Sequence, residues 1–276
     1  MTTTTTADDG RLLHLRHWPL PGERRGQVLL VHGLGEHSGR YQAVAAALNA
    51  AGWQVHGWDH RGHGASDGPR GDIPEPHALL RDTARVIDAV REPGRFVLLG
   101  HSLGGLVAAR FAAEALQDRP AAWSRPLDAL VLSSPALDPG LNAGQKLALA
   151  LASRLAPGLA VSNGLKPDWI CRDPAVVQAY VNDPLVHDRI TARLTRFIVD
   201  AGAEVQAVAA RWQLPTLLMW AGADRCVAPA GSQALADAAA ATGQLTARAW
   251  PGLAHEIFNE PERAQVLAAL TAWLNR

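Results

Sequence analysis

Four runs of adjacent apolar residues recur along the chain, each closed by a glycine or a small polar residue. They are VLLV at 28–31, FVLL at 96–99, ALVL at 129–132 and TLLMW at 216–220. A strand with one wet face alternates apolar and polar residues, so continuous runs this short read as strands buried on both faces of a parallel sheet. WQVHGW (53–58) and LTARAW (245–250) are mixed, which predicts strands nearer an edge. Helical spacing fills the intervals. Val107, Phe111 and Ala115 recur every four residues, with Arg110 and Glu114 as an exposed i,i+4 pair. A last helix begins near Pro261 and turns Val266, Leu270 and Trp273 or Leu274 inward. GRLLHLRHWPLP, near the start, reads as an added antiparallel hairpin or meander. Strand alternating with helix predicts an α/β fold: a mostly parallel central sheet of about eight strands flanked by helices.

The alternation fails between 137 and 211, where helical stretches and prolines occur without a clear strand. This stretch reads as an inserted helical cap, or lid, on a core made of 11–136 and 212–276. Leu147, Leu151 and Leu155 share one helical face in it. That face either packs on the core or forms an apolar passage for a ligand. Residues 1–10, with their run of threonines, read as a disordered tail.

At 276 residues the chain can bury a large core. Hydrophobic residues make up 48% and charged residues 19%, as in globular proteins. Lys plus Arg and Asp plus Glu number 26 each, so no electrostatic feature calls for nucleic acid as a partner. MTTTTTADDG has neither a basic nor an apolar signal-peptide segment, and the apolar stretch LALALASRLAPGLAV is broken by Arg154, Pro157 and Gly158. Two distant cysteines, Cys171 and Cys226, build no disulfide framework and suit a reducing, cytoplasmic setting.

Gly-x-Ser-x-Gly occurs twice, as GHSLG around Ser102 and GASDG around Ser66. Ser102 stands between a predicted strand and a predicted helix. A serine on that sharp turn is lifted clear of the sheet and aimed at free helix N–H groups. Ser66 lies in DHRGHGASDGPRGDIPEP, a Gly- and Pro-rich loop, and reads as a turn serine. A serine nucleophile needs a base and an orienting acid. Asp224 follows the strand TLLMW and His255 follows LTARAW, both past strand C-termini, where open α/β sheets form their sites. Asp200 and Asp237 lie in helical stretches and Glu256 adjoins the histidine, so they are poorer acids.

Acyl transfer also needs oxyanion donors. The backbone N–H of Leu103, after the nucleophile, is one. The other is the N–H of Leu34 in HGLGEH, where Gly33 and Gly35 let backbone approach a ligand. His32 reads as structural. His60 and His63 in HRGH lack a third ligand at a telling distance, so no metal is expected, and no motif calls for a cofactor.

HGLGEHSGRY (32–41), WDHRGHGASDGPRG (58–71), GHSLGG (100–105), SSPAL (133–137), GADRCV (222–227) and AHEIFNE (254–260) resemble, in order and spacing, the α/β-hydrolase superfamily, specifically its monoacylglycerol lipase and lysophospholipase-like, serine aminopeptidase S33-type branch. The resemblance spans nearly the whole chain. It implies a serine esterase with a Ser102–Asp224–His255 triad that cleaves monoacylglycerols without metal or cofactor. It further implies that Glu36, Arg40 and the cap tyrosine Tyr180 lie at the glycerol end of the site. The chain departs from the family's usual pattern in Glu256-Ile257-Phe258, after the base. Leu147 and Leu151 are the residues expected to line an acyl passage. Lysophospholipase or general carboxylesterase activity is the alternative of the same class, and a non-catalytic ligand receptor that of another. A carboxylate-nucleophile hydrolase is excluded, because the elbow carries serine. The expected partner is a small lipid ester, with room for transient membrane contact through the cap; the sequence does not set the oligomeric state.

Overall fold

The computed structural model describes residues 2–276. Along the chain the strands are β1 (Thr2–Thr6), β2 (Leu12–Trp18), β3 (Gly26–Val31), β4 (Trp53–Trp58), β5 (Phe96–His101), β6 (Ala129–Ser133), β7 (Ala160–Ser162), β8 (Arg189–Thr191), β9 (Thr216–Ala221) and β10 (Leu245–Trp250). The helices are α1 (Gln42–Ala50), α2 (Ala78–Val90), α3 (Leu103–Ala113), α4 (Ala143–Leu155), α5 (Pro174–Asn182), α6 (Ala192–Val208), α7 (Pro229–Ala239) and α8 (Arg263–Leu274). Eight strands form one sheet in the order β1-β2-β4-β3-β5-β6-β9-β10. β2 is antiparallel to both neighbours, and the other pairings are parallel.

The four apolar runs are β3, β5, β6 and β9, and every residue in them is buried. Leu30, Leu99, Val131 and Leu217 stand in register across them. This row faces α1 and α8, including Val44, Leu48, Val266 and Leu270. The alternate row, with Leu29, Leu98 and Leu130, faces α2, α3, α6 and α7. Each fully buried leucine contributes about 1.5–3 kcal/mol through removal of apolar surface from water. Two-sided burial explains why these strands do not alternate.

Four expectations need correction. The threonine run is not a disordered tail: Thr2–Thr6 pair in register with Leu12–Arg16 as the edge strand β1. β-Branched threonine suits a strand, and a polar edge strand carries no hydrophobic signal. β4 is not near an edge; it lies between β2 and β3, with Trp53, Val55 and Trp58 fully buried. Its polar residues are satisfied internally, Gln54 Nε2 and Gln27 Nε2 both meeting His56 Nε2. Arg110 and Glu114 are buried, because α6 crosses α3 there and brings Glu204 onto Arg110. The insertion is shorter than 137–211, since α6 buries Leu194, Phe197, Ile198, Ala201 and Val205 in the core cluster that includes α3. What stands apart from the sheet is α4, the β7–β8 ribbon and α5.

Candidate active site

β5 enters α3 through Ser102, whose φ of 54° and ψ of −120° lie outside the ordinary regions for a side-chain-bearing residue. The surroundings enforce the turn. Ser102 N–H donates to Ser133 O, and Ser102 O accepts from Leu106 N–H and Ala136 N–H, each at 3.0 Å. A Cβ on Gly104 would stand 2.1 Å from Val31 O, and one on Gly100 would stand 2.2 Å from Gly104 O. The glycines around Ser102 are therefore a packing requirement. Leu103 opens α3, where first-turn amides have no acceptor within the helix.

Ser66 is used otherwise. Its Oγ accepts from His14 N–H at 2.8 Å and donates to Asp59 O at 2.5 Å, pinning the loop to β2.

His255 Nδ1 is 2.7 Å from Asp224 Oδ2, and both side chains are almost wholly enclosed. Asp224 Oδ1 accepts from the N–H groups of Cys226 (2.8 Å) and Val227 (3.1 Å), which fixes the carboxylate. Burial pushes the imidazole down, but the charge and hydrogen bond of Asp224, with the carboxylates of Glu256 and Glu36, outweigh it. His255 is raised above its ordinary value. The His101 ring lies beside it, tilted, at 4.7 Å between centroids, and is itself pushed down to about 3, first by burial and then by His255. The other acid candidates are occupied: Asp200 with Arg196, Asp237 with Gln233, and Glu256 with Arg40.

The loop bearing Leu34 is held from both sides. Gly35 sits at φ 76°, and a Cβ there would lie 2.3 Å from His187 O. Gly35 O accepts from His187 N–H at 2.9 Å. On the other side, Glu36 Oε1 accepts from Gly33 N–H and from Tyr41 Oη, each at 2.6 Å. Glu36 Oε2 meets Arg40 Nη1 at 2.6 Å. Burial alone would raise Glu36, yet Arg40 and the nearby histidines hold it at about 2.

Ser102, His255, Leu34, Glu36 and Tyr180 line one cavity of about 350 Å³. Arg40 is not in its wall. Its guanidinium lies behind Glu36 and Glu256, 4.8 Å from the Tyr180 ring, with 10% of the side chain exposed. Leu147 and Leu151 are absent from the wall too, being 65% and 54% exposed on α4. The helical face was readable from spacing, but not the direction it points. The apolar wall comes instead from Leu165, Pro167, Ile170, Val181 and Val186. These residues, and the polar Asp183 and His187, went unnoticed in the sequence, where Glu256 was weighed only as an acid and as a departure from the family pattern. Apart from Val181 near the end of α5, they fall in short turns and irregular connections, where no periodicity marks a direction.

His32, His60, His63 and His187 form a separate group. His32 Nε2 accepts from His60 N–H at 2.9 Å, and His63 and His187 rings lie 4.6 Å apart. His32 thus fixes a loop. Among the described residues, donor atoms converge within 4.8 Å at Asp224, Cys226 and His255 rather than at His60 and His63.

Residues 22–262 match the family described as serine aminopeptidase, S33. The chain is 35% identical to a monoacylglycerol lipase of Mycolicibacterium smegmatis, over 93% of this chain and 90% of that protein. It is 32% identical to phospholipase YtpA of Bacillus subtilis, over 90% and 95% of the respective chains. The crystal structure of a Paleococcus ferrophilus monoacylglycerol lipase superposes with a TM-score of 0.84 at 35% identity, covering 95% of this chain and 98% of that one. The strained serine elbow, the enclosed Asp–His pair and this agreement along nearly the whole length lead to one conclusion: the chain belongs to the monoacylglycerol-lipase-like family of α/β-hydrolases, a family of carboxylic-ester hydrolases.

Proposed function

We propose that the protein hydrolyses monoacylglycerols to fatty acid and glycerol, with Ser102 as nucleophile, His255 as base and Asp224 as the acid that orients it. The observation that carries this reading is that His255, bonded to the enclosed Asp224, lines one cavity with a serine on a strained strand-to-helix turn. Ser102 Oγ attacks the ester carbonyl while His255 takes its proton. The tetrahedral oxyanion is received by the N–H groups of Leu34 and Leu103. His255 returns the proton to the departing glycerol oxygen, leaving an acyl-serine. Water, deprotonated by His255, then releases the fatty acid and restores Ser102. This cycle requires no metal and no cofactor.

Support for the glycerol head group comes from the charge of the wall. Glu36, Glu256, Asp183 and Asp188 line the cavity against one Lys166. Carboxylates accept hydrogen bonds from the hydroxyls of a glycerol, and they repel a phosphate. The acyl chain lies along Ile170, Val186, Leu165 and Val181, where each buried methylene contributes about 0.8 kcal/mol. The phospholipase relative keeps lysophospholipid as the second reading. Initial rates on monooleoylglycerol, oleoyl lysophosphatidylcholine and p-nitrophenyl acetate separate them. Monooleoylglycerol is expected to be fastest, and faster lysophospholipid turnover would reverse the assignment.

Among the described residues no helix is long and apolar enough to cross a membrane. Leu147, Leu151, Leu155, Leu159 and Val161 are exposed together in one stretch of the insertion, with Val181 at the cavity edge. This apolar surface serves transient contact with the lipid layer that supplies the substrate.

A further inference from the structure

We infer, building on the ester-hydrolase reading above, that Arg40 is a positioning residue that ties the loop carrying the Leu34 amide to the turn carrying His255. Two parts of a serine hydrolase site must keep a fixed separation: the donors for the oxyanion and the base for the nucleophile. Here they come from distant stretches of sequence, 33–36 and 254–256, and one guanidinium spans them.

Each link to a carboxylate in this path is a short, charge-assisted contact. Gly33 N–H donates to Glu36 Oε1 at 2.6 Å. Arg40 Nη1 meets Glu36 Oε2 at 2.6 Å and Glu256 Oε1 at 2.6 Å, and Arg40 Nη2 meets Glu256 Oε2 at 2.8 Å. Asn259 Nδ2 holds Glu256 Oε2 from the far side at 2.7 Å, and Glu256 N–H donates to Ile170 O at 2.8 Å. The path therefore runs from the backbone beside Leu34 to the residue next to His255. Gly33 is also close to the nucleophile, since a Cβ there would stand 3.2 Å from Ser102 Cβ.

The geometry distinguishes this role from head-group recognition. A residue that binds glycerol must reach the cavity with a free donor, but Arg40 is outside the wall while both its carboxylate partners are in it. Its forked guanidinium takes one carboxylate in bidentate fashion and the other in single contact. A lysine ammonium cannot reproduce that planar fork. It keeps a positive charge between the two carboxylates, but it loosens the spacing.

The test is Arg40→Lys, compared with wild type on monooleoylglycerol and on p-nitrophenyl acetate, which has no glycerol. Removal of a single oxyanion donor costs on the order of 10²–10³ in kcat, so a displaced one is expected to cost about tenfold or more. The loss is expected in kcat on both esters, with KM changed by less than about threefold. Arg125→Lys, at the exposed pair with Asp88, is the control and leaves both rates unchanged. Unchanged kcat on p-nitrophenyl acetate with raised KM for the glycerol ester would make Arg40 a head-group residue and overturn the inference. Unchanged kinetics on both would overturn it as well.

Glu256→Gln gives a second reading should Arg40→Lys fail to fold. His255 faces Asp224, Glu256, Glu36, His101 and Cys226. Loss of the Glu256 charge is expected to lower kcat on both esters and to move the acid limb of kcat/KM to lower pH. A variant with wild-type kcat and an unmoved limb counts against the clamp. Wild-type protein that turns over neither ester but is labelled by a fluorophosphonate at Ser102 would remove the substrate reading alone. The clamp is then read from the labelling rate, where equal rates for Arg40→Lys and wild type overturn it.

Discussion

His255 Nδ1 donates to Asp224 Oδ2 across 2.7 Å, with both side chains almost wholly enclosed. Asp224 in turn is fixed by two backbone N–H groups two and three residues further on. The bond commits the Nδ1 hydrogen, which leaves Nε2 as the nitrogen able to accept a proton. Orientation and tautomer are thus set before substrate arrives.

The two Gly-x-Ser-x-Gly serines have opposite consequences on substitution. Ser102→Ala is expected to reduce ester hydrolysis by about 10³-fold or more, with thermal stability retained. Ser66→Ala is expected to keep most activity but lose about 1–3 kcal/mol of stability, because His14 N–H loses its acceptor within the fold. Steady-state rates and urea unfolding of the two variants decide it. An active Ser102→Ala would end the assignment of the nucleophile.

With His255 as the proposed base, activity is expected to require its neutral form. The free imidazole titrates near pH ~6.5, and here the carboxylates of Asp224, Glu256 and Glu36 raise it despite burial. The acid limb of kcat/KM is accordingly expected above about pH 6.5, with loss of activity below it. Profiles on a soluble ester measure this directly, and a limb centred below pH 6 would contradict it.

Stability is expected to fall with acid in a different window. Burial holds His17, His32, His56, His60, His63, His101 and His187 below their ordinary value, with His56 and His187 at about 4. Above about pH 6.5 they are neutral in both folded and unfolded chains. Below it the unfolded chain binds protons that the folded one refuses, so unfolding becomes easier as pH drops toward 4. His255 works the other way, its raised value favouring the folded state on its acid side, but seven histidines oppose one. Neither His60 Nδ1 nor His63 Nε2 has a hydrogen-bond partner within the protein, so protonating either would bury an unpaired N–H. Urea midpoints between pH 7 and pH 4 should decline steadily, by at most about 1.4 kcal/mol per pH unit for each group. A flat profile would be incompatible with neutral burial.

Substitutions at Leu151 and Val181 test the proposed surface contact and the proposed acyl binding separately. Leu151→Asp changes an exposed residue outside the cavity wall. It should lower vesicle binding and hydrolysis of vesicle-borne monooleoylglycerol, yet spare p-nitrophenyl acetate. Val181→Asp places a charge in the wall and should raise KM for long-chain esters even in detergent micelles. Flotation with liposomes and rates in both formats test the pair. Equal losses on the short ester would indicate damage to the fold.

The sequence by itself determined the α/β class, the four central strands, the elbow serine and the order Ser102, Asp224, His255. These rest on local rules: two-sided burial makes an apolar run, a tight turn demands glycine, and strand C-termini are marked by where the runs stop. Tertiary structure decided what depends on neighbours distant in the chain. It placed the threonines of β1 against β2, because a polar edge strand is specified by its partner's open hydrogen bonds rather than by hydrophobicity. It buried Arg110 and Glu114 by laying α6 across them. It turned Leu147 and Leu151 outward and gave the cavity its apolar wall from Ile170, Val181 and Val186. It also set Arg40 between Glu36 and Glu256, 216 positions apart from the latter. Periodicity shows that a face exists, but only packing shows what that face meets, and a charge is seen to be paired only once the chain has brought its partner to it.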